Sequence, residues 1–119
     1  MKPKQANKIA ITENEFLGQV IQLAHLRGWR VAHFRPARTK DGGWRTAVQG
    51  DGKGFPDLVL IRGNRLIFAE LKSETGKLST EQLEWLHALA NAGFSHECQK
   101  FEVYNWRPSQ WPEIERVLF

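Results

Sequence analysis

The segment that most constrains the fold is GFPDLVLIRGNRLIFAELK, residues 54–72. Two apolar runs stand on either side of Gly63-Asn64, and this arrangement is typical of a β-hairpin with a two-residue turn. If these two residues form the turn, residue 62 pairs with residue 65. Counting back along both strands, Asp57 then pairs with Glu70, with Cβ atoms roughly 4.5–5.5 Å apart.

The hairpin brings together three charged groups that a core strand would not normally carry. Lys72 lies two residues beyond Glu70, on the same face of the same strand. Opposed carboxylates repel each other, and in a half-buried setting one of them would take up a proton. A cation such as Mg²⁺ removes this repulsion, and a lysine beside it can hold an attacking water and neutralise charge on a phosphate. The pattern is typical of metal-assisted phosphodiester hydrolysis.

A second interpretation of the same three residues needs no active site. Glu70 and Lys72 would form a solvated pair at a strand end, and Asp57 would be an ordinary turn residue that begins its strand. The pairing of Asp57 with Glu70 also requires a two-residue turn, because a slip of one residue would move Asp57 to the opposite face. The hairpin alone leaves both interpretations open.

The rest of the chain predicts helices and strands in alternation. Thr12 with Glu15, and Ser79 with Gln82, have the spacing of helix-starting capping boxes. The predicted elements are a helix from Thr12 to Gly28, strands over 29–35, 57–62 and 65–72, a helix from Ser79 to Gly93, a strand over 101–106 and a last helix capped by Ser109 and ending near Leu118. Residues 46–49 could add a short strand. The order α-β-β-β-α-β-α predicts an α/β (α+β) fold with one mixed sheet flanked by helices.

Composition restricts the class of protein. The chain has 119 residues, enough for one domain over 11–119, and residues 1–10 resemble a disordered basic arm. One cysteine excludes an internal disulfide and a multi-cysteine zinc site. No apolar run has the length of a membrane span, and the basic N-terminus lacks the apolar segment of a signal peptide. We therefore expect a cytoplasmic protein that does not bind membranes.

Positive charge is concentrated in the segment between the first two predicted strands. The net charge is +4, which suits a polyanionic partner such as nucleic acid. Residues 36–56 contain five glycines and no clear periodicity, and loops of this length are usually functional or disordered. We predict phosphate contacts from this segment and its neighbours; the candidates are His33, Arg35, Arg38, Lys40, Arg45, Lys53 and Lys77. The alternative is a flexible exposed loop whose charge has no specific role.

Four short motifs resemble those of a known family. Pro56-Asp57, followed after twelve residues by Glu70-Leu71-Lys72, has the form of the PD-(D/E)XK nuclease signature. The surrounding G-x-P-D, E-L-K, G-x-L-S-x-x-Q and W-R-P-x-x-W motifs are similar to those of the VRR-NUC nucleases. The likeness extends from Thr12 to the C-terminus and implies a restriction-endonuclease-like core.

The resemblance also implies roles for individual residues. Asp57 and Glu70 would bind Mg²⁺ or Mn²⁺, with the backbone carbonyl of Leu71 as a further ligand, and Lys72 would be the catalytic lysine. The family places a glutamate of the first helix near the metal, for which we prefer Glu13 over Glu15.

Gln82 matches a glutamine that the family carries near its active site. The alternative reading is that Gln82 serves only the capping box with Ser79, and both roles can hold in part.

The activity that the resemblance implies is structure-specific DNA cleavage. Standalone proteins similar to this family include resolvases of four-way (Holliday) junctions, and the two-fold symmetry of such branched DNA suits a homodimer. The alternatives are a nuclease for flapped, nicked or plain duplex DNA, and a nucleic-acid-binding module that no longer cuts. An RNA-directed enzyme is also compatible with the sequence.

Overall fold

The computed structural model describes residues 10–34, 50–94 and 98–119, and the backbone of residues 37–38 and 44–45. The described elements in chain order are α1 (Glu13–Leu26), β1 (Arg30–His33), β2 (Ala37–Arg38), β3 (Trp44–Arg45), β4 (Leu58–Arg62), β5 (Arg65–Leu71), α2 (Thr80–Gly93), β6 (Glu102–Trp106), a 3-10 turn (Pro108–Gln110) and α3 (Trp111–Leu118). This order confirms the predicted α-β-β-β-α-β-α succession and adds the short β2–β3 ribbon after the first strand.

The main sheet is mixed, as predicted. Its strand order is β1-β4-β5-β6. β4 runs antiparallel to both β1 and β5, whereas β6 is parallel to β5. The parallel pair requires a crossover, and α2 supplies it on the way from β5 to β6. The mixed sheet flanked by helices is consistent with a restriction-endonuclease-like core.

The β4–β5 hairpin has the predicted register. Arg62 pairs with Arg65 and, at the other end, Leu58 pairs with Ala69. Gly63 has φ +58°, and no described residue other than glycine has a positive φ, as in a type II′ turn with glycine at its first central position. The next pair outward from Leu58 and Ala69 is Asp57 with Glu70, which lies just beyond the regular ladder.

One face of this sheet forms the hydrophobic core with α1 and α3. Apolar side chains alternate inward along the two hairpin strands because successive strand residues point to opposite faces. α1 supplies the apolar stripe that its helical spacing predicted, and α3 closes the same side. The buried residues of this cluster are Phe16, Leu17, Val20, Ala24, Trp29, Leu58, Leu60, Ile67, Ala69, Leu71, Trp106, Ile114 and Leu118.

The opposite face of the sheet, here called the α2 face, carries Phe68, Glu70 and Asn105. α2 packs along β6 on this side. The ring of Phe68 meets the ring of Phe101 edge-on at 5.2 Å between centroids, and Gly93 at the end of α2 also lies against Phe101. These contacts pack the C-terminal end of α2 on the sheet, while Gln82 in its first turn bonds to Glu70 near the end of β5.

The predicted cap of the last helix is wrong. Ser109 lies inside the 3-10 turn, and α3 begins at Trp111 with no side-chain capping bond. The amide of Ser109 instead donates to the carboxylate of Glu74, and this hydrogen bond connects the 3-10 turn to the loop after β5. Pro112 does lie in the first turn of α3, where its missing N–H costs nothing.

The first helix is capped by Thr12, as predicted, but the capping box is incomplete. The amide of Glu15 donates to Thr12 Oγ1 at 3.1 Å. The Glu15 carboxylate accepts from the Thr12 hydroxyl at 2.9 Å rather than from the Thr12 backbone amide. Both side chains of this pair are therefore engaged with each other at the helix start.

Two predictions fall outside the described residues, namely the short strand over 46–49 and almost all of the basic arm over 1–10. None of the described helices combines the length and the apolar character needed to cross a membrane.

Candidate functional site

Three carboxylates converge at the end of the hairpin remote from the turn. Glu13, Asp57 and Glu70 each offer one oxygen, and these oxygens lie within 4.8 Å of one another. Glu13 opens α1, Asp57 immediately precedes β4, and Glu70 is the penultimate residue of β5. The helix contributes Glu13 to this carboxylate cluster, whereas Glu15 is bonded to Thr12.

Asp57 is held in place across the hairpin. Its Oδ2 accepts a hydrogen bond from the backbone amide of Leu71 at 2.9 Å. This hydrogen bond lies just beyond the last backbone pair of β4 and β5, and it orients the carboxylate toward the end of β5. Leu71 thus lies beside the cluster, and the role of its carbonyl as a metal ligand stays a prediction.

Glu70 is a buried acid that only one described side chain donates to. The residue is 1% exposed. Its Oε1 accepts from Gln82 Nε2 at 3.0 Å, Oε2 has no donor among the described residues, and a side-chain hydrogen bond links the carboxyl group to Asp57. Burial, and after it the negative charge of Asp57, raises the pKa of Glu70 to about 9. Without a cation, the site therefore keeps Glu70 protonated at neutral pH.

The donor set of the cluster fits a hard divalent cation. All three groups are carboxylates, and Mg²⁺ and Mn²⁺ prefer oxygen ligands. Once ionised, Glu70 would have no donor to Oε2 among the described residues, a cost that coordination would remove. A bound cation would also offset the repulsion that keeps Glu70 protonated. The residues are thus suited to such an ion on grounds of chemistry, burial and charge.

Lys72 lies on the α1 side of the cluster. Its Nζ is 3.8 Å from Glu13 Oε1, and the two side chains are 14% and 47% exposed. This separation is longer than a hydrogen bond, so the ammonium retains its donors for a water or a phosphate oxygen. The backbone amide of Lys72 donates to the carbonyl of Trp106 at 3.0 Å, which ties the lysine to the end of β6.

Gln82 forms the predicted capping box and also bonds to Glu70, while its part in catalysis stays a prediction. Its Oε1 accepts from the amide of Ser79 at 2.8 Å, which completes the predicted capping box. Because the amide oxygen is used there, the NH₂ group is the part that faces the sheet and donates to Glu70. The start of α2 and the orientation of the Glu70 carboxyl are therefore set by one side chain.

Two residues to which the sequence analysis gave no role hold the loops next to the carboxylate cluster. Arg107 Nη1 donates to the carbonyls of Ser73 and Gly76, and so holds the loop that follows Lys72. Gly54 has φ +85°, and a Cβ there would lie 2.6 Å from the backbone carbon of Glu81. The signals for both were present in the W-R-P-x-x-W and G-x-P-D motifs.

The predicted phosphate-contacting residues lie on several separate segments, and those that the structure describes do not form one cluster with the carboxylates. His33 is exposed and pairs with Leu58, next in sequence to Asp57. Lys53 Nζ lies 3.5 Å from Glu81 Oε1, and Lys77 is exposed in the loop before α2. The backbones of Arg38 and Arg45 belong to the β2–β3 ribbon, and Arg35 and Lys40 lie outside the described residues. Contact with nucleic acid stays a prediction for all seven.

Comparison with known families agrees with the geometry. The family model for the VRR-NUC domain matches residues 26–100, more than half of the chain. The match includes Asp57, Glu70 and Lys72, whereas Glu13 lies before it. Among curated proteins, none matches the chain significantly. The chain therefore belongs to the VRR-NUC family, a family of nuclease domains within the PD-(D/E)XK superfamily.

Proposed function

We propose that this protein is a divalent-metal-dependent endonuclease that hydrolyses phosphodiester bonds in DNA. The observation that carries the proposal is the convergence of three carboxylate oxygens within 4.8 Å, with the ammonium of Lys72 beside them. Membership of a nuclease family makes phosphodiester hydrolysis the reaction that this arrangement best serves.

The residues divide into those that hold a cation and those that orient reactants. Asp57, Glu70 and Glu13 would hold Mg²⁺ or Mn²⁺, with the Leu71 carbonyl as a further ligand. The ion would polarise the scissile phosphate and stabilise the charge that develops on it. The Leu71 amide orients Asp57 and the Gln82 amide orients Glu70, so both carboxylates are placed before substrate arrives.

Lys72 acts on the water and on the phosphate in this proposal. Its Nζ donates hydrogen bonds, so it orients a water whose lone pair faces the phosphorus. The same positive charge offsets negative charge on the phosphate oxygens in the transition state. The water attacks in line, so that the new P–O bond forms as the bond to the leaving oxygen breaks. The proton of the water passes to solvent, and the leaving oxygen takes a proton from solvent.

The proposed substrate is branched DNA, including four-way junctions, and the proposed active form is a homodimer. A junction requires two symmetric cuts, which suits two copies related by a two-fold axis. The excess of positive charge supports binding to the phosphate backbone.

The first experiment compares cleavage of a labelled four-way junction with that of a matched linear duplex, each with Mg²⁺, Mn²⁺ or EDTA. Wild type is tested beside Asp57→Ala and Asp51→Ala. The second variant is a matched control, because it removes the same charge from the segment before β4 without touching the carboxylate cluster. We expect metal-dependent paired nicks in the junction for wild type and Asp51→Ala, and none for Asp57→Ala.

Each other outcome corrects a different part of the proposal. Metal-dependent cutting of both DNA shapes would retain the active site and reject the preference for junctions. Binding of the junction without cleavage in either metal would reject the enzyme. Equal cleavage by Asp57→Ala would reject the assigned site. Light scattering of the protein with and without the junction then tests the homodimer, and a monomer in both samples would reject it.

A further inference from the structure

Asn105 on β6 is a polar residue next to the carboxylate cluster that the proposed reaction does not use. In the parallel β5–β6 pair, Asn105 lies directly opposite Glu70. Its Oδ1 is buried and has no hydrogen-bond partner among the described residues. Buried polar side-chain atoms are rarely left unpaired, so this oxygen requires an explanation.

The position of Asn105 places it in one row with the cluster. Paired residues on neighbouring strands point to the same face, so Asp57, Glu70 and Asn105 follow one another across β4, β5 and β6 on the α2 face. Neighbouring strands are about 4.8 Å apart. Asn105 is therefore one strand further from the shared carboxylate oxygens than Glu70 is, a separation that one water molecule can bridge.

The oxygen Oδ1 of Asn105 has no donor among the described residues, although it lies opposite Glu70. The side chain of Glu70 is hydrogen-bonded to Asp57 and accepts from Gln82, so neither Glu70 nor Gln82 supplies a donor to Asn105. A hydrated cation held by Asp57 and Glu70 would supply that donor, because one of its waters would donate to the amide oxygen. Mg²⁺ in particular keeps several of its waters when it binds to proteins.

We infer that Asn105 is a positioning residue of the metal centre, whose side-chain oxygen accepts a hydrogen bond from the hydration shell of the cation. The inference rests on the proposed function, because it needs a cation between Asp57 and Glu70. Groups in this outer position commonly change metal affinity about 10- to 100-fold when they are removed.

The test uses Asn105→Leu, which has nearly the same shape and no acceptor, and measures two quantities. The first is the Kd for Mn²⁺ by calorimetric titration of the protein alone. The second is the Tm in EDTA. We expect Asn105→Leu to bind Mn²⁺ about 10- to 100-fold more weakly. Its Tm in EDTA should be unchanged or higher, because the variant no longer buries an unsatisfied oxygen.

Asn105→Asp is the complementary variant. It keeps an oxygen at the same place and adds a negative charge beside Glu70. We expect it to bind Mn²⁺ at least as tightly as wild type, and to have a lower Tm in EDTA because the variant buries a further carboxylate near the charge of Asp57. Asn91→Leu on the exposed side of α2 is the control for the chemical change and should alter neither quantity.

The outcomes separate this inference from the proposed function. If wild type binds no Mn²⁺, the proposed metal centre fails, and the role of Asn105 fails with it. If wild type binds Mn²⁺ and Asn105→Leu binds it equally well, only the inference is overturned. A lower Tm of Asn105→Leu in EDTA with an unchanged Kd would show that Asn105 is a structural residue. Weaker Mn²⁺ binding by Asn105→Asp than by wild type would also overturn the inference that Asn105 accepts a hydrogen bond from the hydrated cation.

Discussion

Replacing Glu70 by glutamine should make the metal-free protein more stable at alkaline pH while it removes the proposed activity. Glutamine has the shape of protonated glutamate. Its carbonyl oxygen can still accept from Gln82, and its NH₂ group can face the carboxylate of Asp57 as a donor. The substitution therefore keeps the hydrogen bond of the buried group and removes a charge that burial and Asp57 disfavour.

The size of the effect follows from the shift in pKa. The pKa of Glu70 is raised from 4.5 to about 9. Between these values the folded state keeps a proton that the unfolded chain releases, so the contribution of Glu70 to stability is present below pH 4.5 and is lost as pH rises toward 9. The free energy of unfolding should fall by about 1.4 kcal/mol per pH unit, or on the order of 3 kcal/mol from about pH 5.5 to about pH 8.

The assay is urea unfolding in EDTA at these two pH values, followed by the fluorescence of the five tryptophans. Wild type should lose stability between them, and Glu70→Gln should lose about 3 kcal/mol less. Comparing the two proteins cancels the titration of groups that do not interact with Glu70. Added Mn²⁺ should restore wild type at the higher pH and leave the variant unchanged, because the ion replaces the proton on Glu70.

Glu102→Gln is the control, because the pKa of Glu102 is shifted in the opposite direction from that of Glu70. Burial alone would raise the pKa of Glu102, but hydrogen bonds from Arg65 and Tyr104 lower it. Its stabilising charge is therefore present above pH 4.5 and is lost only at lower pH. The variant should lose on the order of 1–3 kcal/mol equally at both pH values. If the free energy of unfolding of Glu70→Gln also differed from that of wild type by the same amount at both pH values, the raised pKa of Glu70 would be refuted.

Three further predictions concern groups around the cluster. Lys72→Ala should bind DNA normally and lose at least about 100-fold in single-turnover cleavage, and near wild-type cutting would exclude its role. Glu13→Gln should impair cleavage more than Glu15→Gln at equal Tm, and the reverse result would reassign the helix carboxylate. Gly54→Ala should lower the free energy of unfolding by about 1–3 kcal/mol more than Gly50→Ala in urea unfolding. Gly50 is the matched control, because its φ is also positive but a Cβ there would meet no atom within 4 Å. Equal losses of stability would show that backbone strain alone matters.

The local elements and the hairpin register were determined by the sequence itself. The turn at Gly63-Asn64 and the alternation of apolar residues set the pairing of β4 with β5, since a slip would expose one whole face. The Ser79 capping box depends on residues three positions apart, and for this reason it could be predicted without tertiary information. Asp57 and Glu70 could be placed side by side because one short turn joins their strands.

Contacts between distant parts of the chain were decided only by the tertiary structure. The sequence already favours Glu13 over Glu15, but the angle at which α1 meets the sheet, which no local spacing encodes, is what brings the Glu13 carboxylate to the cluster. Ser109 shows the same limit, because its amide bonds to the distant Glu74 and the expected cap is not formed. Only the parallel pairing of β5 and β6 places the side chain of Asn105, whose oxygen has no partner among the described residues, opposite Glu70. Local hydrogen bonds and periodicity act over a few residues, whereas these placements depend on how whole helices and strands pack.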